Sequence, residues 1–344
     1  MPVKPLKPGD PRVSRRHWLL LGSSVLACAA HADERAAQAQ ALQRAQRSVV
    51  GLRTEAVDGA GSSRTLGEKR QGSGVVIGAD GLVLTIGYLI LEAEQVELTT
   101  ADKRQIPARV VAYDLASGFG LVQALVPLGV EDVPLGRADA LAEQEILMFA
   151  NGGGAGGVAP TRLLSRRPFA GYWEYHLDEA LFTSPPWPMH SGAGLFNQRG
   201  ELVGIGSLVV ADAGLVEGTR RPGNMFVPID LLPPVLDEMR RRGTSQRSHR
   251  AWLGVNCVET DGAVRVIRIT ADGPADVAGL QPGDQIVRID DQEVHALDAL
   301  WQALWRGGPP EREVRLEIQR GSARQVLKVF SVDRMKTLKR PRGI

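Results

Sequence analysis

Cysteine is nearly absent, with two in 344 residues, Cys28 and Cys257. Cys28 falls inside Met1–Ala32, a segment that reads as an export signal. Cleavage after Ala32 leaves Cys257 alone and excludes an intrachain disulfide even in an oxidising compartment. Cys257 lies in the apolar stretch Trp252–Val258 and reads as a small buried residue. Aromatic residues are sparse, at 5%. No apolar run reaches the length of a membrane-spanning helix, so no transmembrane anchor is expected once the signal is removed. Excess charge is missing too. The formal net charge is +2, but five basic residues and one acidic residue belong to Met1–Ala32, and the remainder carries 36 basic against 38 acidic residues. Such a balance gives no nucleic-acid footprint.

Met1–Ala32 begins basic and proline-rich, passes through Ser14-Arg15-Arg16-His17-Trp18 into a modest apolar core, and ends in Ala30-His31-Ala32, an A-x-A cleavage site. The arginine pair before a weakly apolar core has the form of a twin-arginine (Tat) signal. The same residues can be read as an ordinary Sec signal, and Leu26-Ala27-Cys28 can be read as a lipoprotein site. All three readings place the mature chain outside the cytoplasm, in a periplasm.

Residues 33–47 are rich in Ala, Gln, Glu and Arg without a breaker and predict a helix. Ser48–Leu52 predicts a first strand, and the polar, glycine-rich Asp58–Gln71 a mobile loop. Gly72–Ile77 and Leu82–Ile86 form a predicted hairpin about the Asp80-Gly81 turn signal. Further strands are expected at Val96–Thr99, Gln105–Tyr113 and Phe119–Val122. Many short strands separated by Gly/Pro turns, without βαβ alternation, argue for a mainly β barrel architecture. A second barrel is expected from Leu141 to about Pro228, closed by a helix over Ile229–Arg242. The glycine run from Asn151 to Gly157 lacks the following Lys-Ser/Thr and the helix of a phosphate cradle. Arg241–Arg250 has no apolar residue and reads as an exposed linker. Beyond it, Leu297, Leu300, Trp301 and Leu304 have helical spacing, and Val314, Leu316 and Ile318 alternate as a half-buried strand. The basic run Lys336–Arg342 reads as a solvated end.

One stretch carries chemistry. In Pro188-Met189-His190-Ser191-Gly192-Ala193-Gly194-Leu195 a turn of small residues presents one serine, and two apolar strands follow. A serine nucleophile needs such a bend, with backbone N–H groups facing a developing oxyanion. This stretch resembles the P-G-N-S-G-G-P-L nucleophile region of HtrA (DegP-like) trypsin-like serine proteases. The Gly72–Ile86 hairpin resembles the same family, as does Gly223–Ile229, which matches the strand bordering its specificity pocket. Ala251 to about Val332 resembles a PDZ domain over its whole length, through Trp252-Leu253-Gly254-Val255, the carboxylate-binding loop, and Gly273–Ile286. The resemblance implies a trypsin-like double β-barrel with a C-terminal PDZ domain. It divides the chain into the signal (1–32), a helix (33–47), a protease-like domain (48–240), a linker (241–250), the PDZ domain (251–334) and a basic tail (335–344). It implies no cofactor. It implies C-terminal or extended polypeptides as PDZ partners, a trimer as the homo-oligomer, and an N-terminal helix that either joins protomers or caps a barrel.

The catalytic pattern departs from the family. Where the family has its histidine base after L-T, this chain reads Leu84-Thr85-Ile86-Gly87-Tyr88, so Tyr88 stands at the histidine position. Where the family has its orienting aspartate, the chain has Gly118, and Asp114 matches only an earlier, non-catalytic acid. Met189 replaces a glycine of the oxyanion turn formed with His190 and Ser191, and is penalised if the turn needs a positive φ there. A serine without a base is a poor nucleophile, and a tyrosine of ordinary pKa about 10 stays protonated at neutral pH. His176, fifteen residues upstream of Ser191 on a predicted strand, is the one substitute base worth testing. Together His176 and His190 form at most a weak metal pair, lacking carboxylate or cysteine partners. The expectation is an exported HtrA-like pseudoprotease acting as a peptide-binding scaffold or quality-control factor. The alternatives are an active endopeptidase with an unconventional base and a chaperone-like binder of unfolded periplasmic proteins.

Overall fold

The structure, a computed structural model, describes residues 36–153 and 156–339. Met1–Ala32, expected to be an export signal, lies outside the described residues. A helix, α1, covers residues 36–47 and buries Ala45 fully. Twelve strands then build two closed six-stranded antiparallel barrels. The first holds β1 (Val49–Ala56), β2 (Lys69–Gly78), β3 (Leu82–Ile86), β4 (Ala93–Thr99), β5 (Gln105–Tyr113) and β6 (Phe119–Ala124). The second holds β7 (Ile146–Ala150), β8 (Val158–Ala170), β9 (His176–Ser184), β10 (Gly194–Phe196), β11 (Leu202–Val216) and β12 (Thr219–Pro228). Closure removes the open edges that two such sheets would otherwise expose. All five residues of β3 are buried, so this strand lies entirely within the core. Side chains of both barrels, among them Val50, Leu84, Phe119, Phe182 and Phe196, share one apolar cluster.

The segment between β1 and β2 is held more firmly than its polar composition suggests. A four-residue helix, α2 (Ser63–Leu66), interrupts it, and Arg70 is only 5% exposed. The Arg70 guanidinium donates to Gly67 O (3.1 Å), Tyr88 O (3.0 Å), Leu91 O (2.6 Å) and Ser62 Oγ (2.8 Å). Low sequence hydrophobicity does not imply mobility here, because one buried cation satisfies several acceptors across the segment.

The helix expected to close the second barrel, α3 (Pro233–Arg242), packs instead against β5 of the first barrel, and its prolines occupy its first turn, where no backbone donor is lost. The following linker is not exposed throughout. Ser245 and Ser248 are buried, and both hydroxyls donate to Asp114 Oδ1, while Ser117 N–H and Oγ occupy Asp114 Oδ2. Asp114 is thus a buried acceptor that pins the linker to the first barrel.

The C-terminal domain pairs β13 (Ala251–Trp252) with β20 (Val332–Asp333). It stacks β14 (Val255–Thr260), β15 (Ala263–Ile269), β16 (Gln285–Ile289), β18 (Glu313–Arg320) and β19 (Ala323–Phe330) into one sheet, with β17 (Gln292–Glu293) off β16. Two helices, α4 (Pro274–Val277) and α5 (Leu297–Arg306), complete it. Leu300, Trp301 and Leu304 of α5 pack with Val314, Leu316 and Ile318 of β18 in a separate core, as their periodicities predict. Cys257 is fully buried in that core, and burial pushes its thiol pKa up, leaving it unreactive. The basic end is not wholly solvated: Lys336 Nζ meets Glu311 at 2.7 Å, and Lys339 N–H donates to Glu92 at 2.8 Å.

Candidate functional site

The serine turn sits where the two barrels meet. Ala193 N–H donates to His190 O at 3.0 Å, closing a four-residue turn with Ser191 and Gly192 at its centre. Gly192 has φ 73°, the left-handed value that the third residue of a type II turn requires. A Cβ at Gly192 would lie 2.0 Å from Ser73 O and 2.5 Å from Thr85 Oγ1, so no other residue fits. Ser191 O accepts the Ser73 N–H at 2.8 Å, which fastens the turn to β2 of the opposite barrel. Met189 adopts φ 57°, so the turn keeps a left-handed residue where the family has glycine. Holding methionine there costs roughly 1–2 kcal/mol, and its side chain gains little in return, being 54% exposed.

Tyr88 faces this turn. It lies in the single 3₁₀ turn Gly87–Leu89 that follows β3, held by the Gly87 N–H donated to Gly118 O (2.7 Å) and by Arg70 on its own carbonyl. Its Oη lies 2.7 Å from Ser191 Oγ and 2.7 Å from Ser207 O. A carbonyl only accepts, so the phenol proton goes to Ser207 O and the Ser191 hydroxyl donates to the phenol oxygen. Burial pushes the Tyr88 pKa up to about 12, the Ser191 hydrogen bond opposing it in part. The serine proton therefore rests on a neutral phenol, a negligible base at neutral pH.

At Gly118, expected from the resemblance to stand at the orienting-acid position, another side chain fills the space. Gly118 has φ 80°, and a Cβ there would stand 2.9 Å from Tyr175 Oη. Tyr175 is buried, donates to Ser117 O at 2.6 Å, and stacks on Trp173 with ring centroids 5.6 Å apart. Neither His176 nor His190 is hydrogen-bonded to Ser191 Oγ. His176 is buried with its ring nitrogens near Asp178 (3.6 Å) and Gln302 of α5 (3.3 Å). His190 adjoins Ser191, but its Nδ1 is buried without a partner. Burial lowers the pKa of both histidines. No group of three or more His, Cys, Asp or Glu residues suited to a metal ion occurs among the described residues.

The loop Trp252–Val255 is not open. Its Leu253 and Gly254 N–H groups donate to Glu174 Oε1 at 2.8 and 2.9 Å. Burial raises the Glu174 pKa to about 7, against the lowering effect of these N–H donors and of Arg334. Arg334 also lies over the Trp252 ring, 4.4 Å from its centroid. A cavity of about 1150 Å³ runs from Tyr88 and Gly118, past Tyr172 and Glu174, to Trp252 and Arg334. The chemistry-bearing residues that the sequence reading did not single out are Arg70, Glu174, Tyr175 and Ser207. A signal existed for two of them: Phe169–Tyr175 gathers four aromatics and one acid in a chain otherwise poor in aromatics.

The double barrel, the serine turn and the second β-rich domain define a trypsin-like peptidase fold with an appended PDZ-type module. The family described as "Trypsin-like peptidase domain" matches residues 72–205, and "PDZ domain" matches residues 251–330. The chain is 27% identical over 275 residues to a "Probable periplasmic serine endoprotease DegP-like" of Ectopseudomonas mendocina (strain ymp), covering 75% of this chain and 55% of that relative. It is also 27% identical over 273 residues to "Serine protease PepD" of Mycobacterium tuberculosis, covering 73% of this chain and 58% of PepD. The chain thus spans about half the length of the curated relatives it matches. Among solved structures, "HtrA-type protease AlgW with decapeptide" superposes with a TM-score of 0.52 at 21% identity, covering 86% of this chain and 98% of AlgW. The serine endoprotease from Yersinia pestis gives 0.51 at 20% identity, covering 86% and 97%. The chain is HtrA-like: a trypsin-like peptidase domain joined to one PDZ domain.

Proposed function

We propose that this chain is a pseudoprotease, an HtrA-like scaffold that binds polypeptide without cleaving it. One observation carries the reading: the side chain facing Ser191 Oγ at 2.7 Å is a phenol with its pKa pushed up to about 12. At pH 7 such a group is ionised in about one molecule in 10⁵, so the hydroxyl has no working base. The Tyr175 ring against Gly118 supports the same reading, since it leaves no room for a carboxylate that would orient an imidazole.

The DegP-like relative of Ectopseudomonas mendocina is described as a probable periplasmic serine endoprotease. Together with the signal-like Met1–Ala32, this supports a periplasmic location for this chain, reached by the Tat route. Its partners are extended or C-terminal polypeptide segments taken up by the PDZ domain, and its role is protein quality control. Homo-oligomerisation, as a trimer, is proposed by family resemblance alone.

The test is direct. A fluorophosphonate probe should give no labelling above a Ser191→Ala control, and casein should remain intact. Ser191-dependent labelling of the unmodified protein would establish instead an active endopeptidase with an unconventional base. Suppression of client aggregation without cleavage would extend the scaffold reading to chaperone action.

A further inference from the structure

The segment Gly171–Tyr175 joins β8 to β9, but it packs into the C-terminal domain. Trp173 forms an antiparallel bridge with Asn256, and Tyr172 O accepts the Cys257 N–H at 2.6 Å. On the other side, Trp301 Nε1 of α5 donates to Gly171 O at 3.0 Å. The segment therefore lies between β14 and α5 as an added strand, the geometry by which such grooves take extended peptides. Its direction also matches. Tyr172 stands against Cys257 and Glu174 against Leu253 and Gly254, so the strand runs towards the loop that captures a peptide's terminal carboxylate. No chain terminus is present there. A side-chain carboxylate is: Glu174 is 9% exposed, and its hydrogen bonds among the described residues come from backbone N–H groups alone.

We propose that residues 171–174 are an internal ligand of the PDZ groove, with the Glu174 carboxylate in the place of a peptide's terminal carboxylate, so that an outside peptide binds only by displacing this segment. The inference rests on the peptide-binding half of the function proposed above. Because β8 and β9 tether the segment at both ends, it competes at an effective concentration on the order of millimolar. The apparent affinity for an outside peptide falls by the fraction of molecules whose groove is open.

The experiment compares the full chain with its Glu174→Ala variant in two measurements. The first is amide hydrogen exchange at Leu253, Gly254 and Cys257, with Leu316 as a core reference. The second is binding of fluorescein-Ala-Gly-Tyr-Trp-Val with a free terminal carboxylate, alongside the same peptide amidated. The proposal expects exchange at Leu253 and Gly254 to rise at least tenfold in the variant while Leu316 is unchanged. It also expects the acid peptide to bind the variant at least tenfold more tightly than the parent, and the amide to bind neither. Unchanged exchange, or equal affinity of the acid peptide for both proteins, overturns it. Faster exchange with no peptide bound to either protein upholds the internal ligand and overturns the peptide-binding reading instead. Should the alanine variant lose Leu316 protection, Glu174→Ser, whose hydroxyl is too short to reach the Leu253 and Gly254 N–H groups, takes its place with the same criteria.

Discussion

Placing at positions 88 and 118 the histidine and aspartate that the family resemblance implies for a working triad should damage this protein before it activates it. In a Tyr88→His, Gly118→Asp variant the new side chain at 118 meets a backbone at φ 80° and a Cβ position 2.9 Å from Tyr175 Oη. The left-handed conformation costs a residue with a Cβ about 1–2 kcal/mol. Displacing Tyr175 forfeits its bond to Ser117 O, worth about 1 kcal/mol, and its stacking on Trp173, worth roughly another 1 kcal/mol. Together these come to about 3–4 kcal/mol, or a melting temperature lower by roughly 10 °C for a domain of this size. Tyr175→Phe separates the terms. Alone it leaves Ser117 O without its donor and costs about 1 kcal/mol, but beside Gly118→Asp it removes the nearest clashing atom and should be stabilising. A thermal-melt double-mutant cycle between positions 118 and 175 reads this change of sign, and fluorophosphonate labelling reads activity. If the Tyr88→His, Gly118→Asp variant melts within about 2 °C of the parent and labels at Ser191, the packing argument is wrong.

Three further outcomes are expected. Arg70→Met leaves the carbonyls of Tyr88 and Leu91 without their charged donor, and should cost about 3 kcal/mol in chemical denaturation; a loss under about 1 kcal/mol would show that the clamp is dispensable. Glu174 has a folded pKa of about 7, raised from 4.5, so its packing is most favourable below pH 4.5 and is progressively lost as the pH rises to 7. With Arg334 and Cys257 as the neighbouring titratable groups, the loss amounts to about 3 kcal/mol, and Glu174→Gln should flatten the stability profile across that window; identical profiles would refute the assignment. Replacing both Arg15 and Arg16 by lysine keeps the charge but removes the pair, so Tat export should stop; normal periplasmic accumulation would assign the signal to Sec.

What the sequence made legible was local. The Asp80-Gly81 turn between alternating apolar runs, the spacing in α5 and β18, and the small-residue bend around Ser191 each express a short-range rule that a window of ten residues contains. Tyr88, which lies against Ser191, could be placed for the same reason, because it follows a recognisable hairpin. The remainder depends on residues far apart in the chain. Tyr175 reaches Ser117 across 58 positions, Glu174 reaches Leu253 across 79, and Ser245 reaches Asp114 across 131. None of these pairings has a local signature, even where one member lies in a conspicuous run: a serine-rich, arginine-rich stretch reads as solvated until a buried carboxylate is found beneath it. Arg70 shows the converse error, since a cation in a polar loop reads as exposed although its acceptors are backbone carbonyls that composition does not reveal.

The tight fit at Gly192 separates ancestry from activity. A methyl group there would penetrate the Ser73 carbonyl of the neighbouring barrel, so glycine is required for the two halves to close, whatever Ser191 does. Position 189 has no such constraint: its side chain points outward, and methionine is carried at the expense of backbone strain alone. When a lineage stops cutting peptides, the first glycine is therefore free to drift and the second is not. The Ser-Gly pair can outlast catalysis as a joint between barrels, a fossil preserved by masonry.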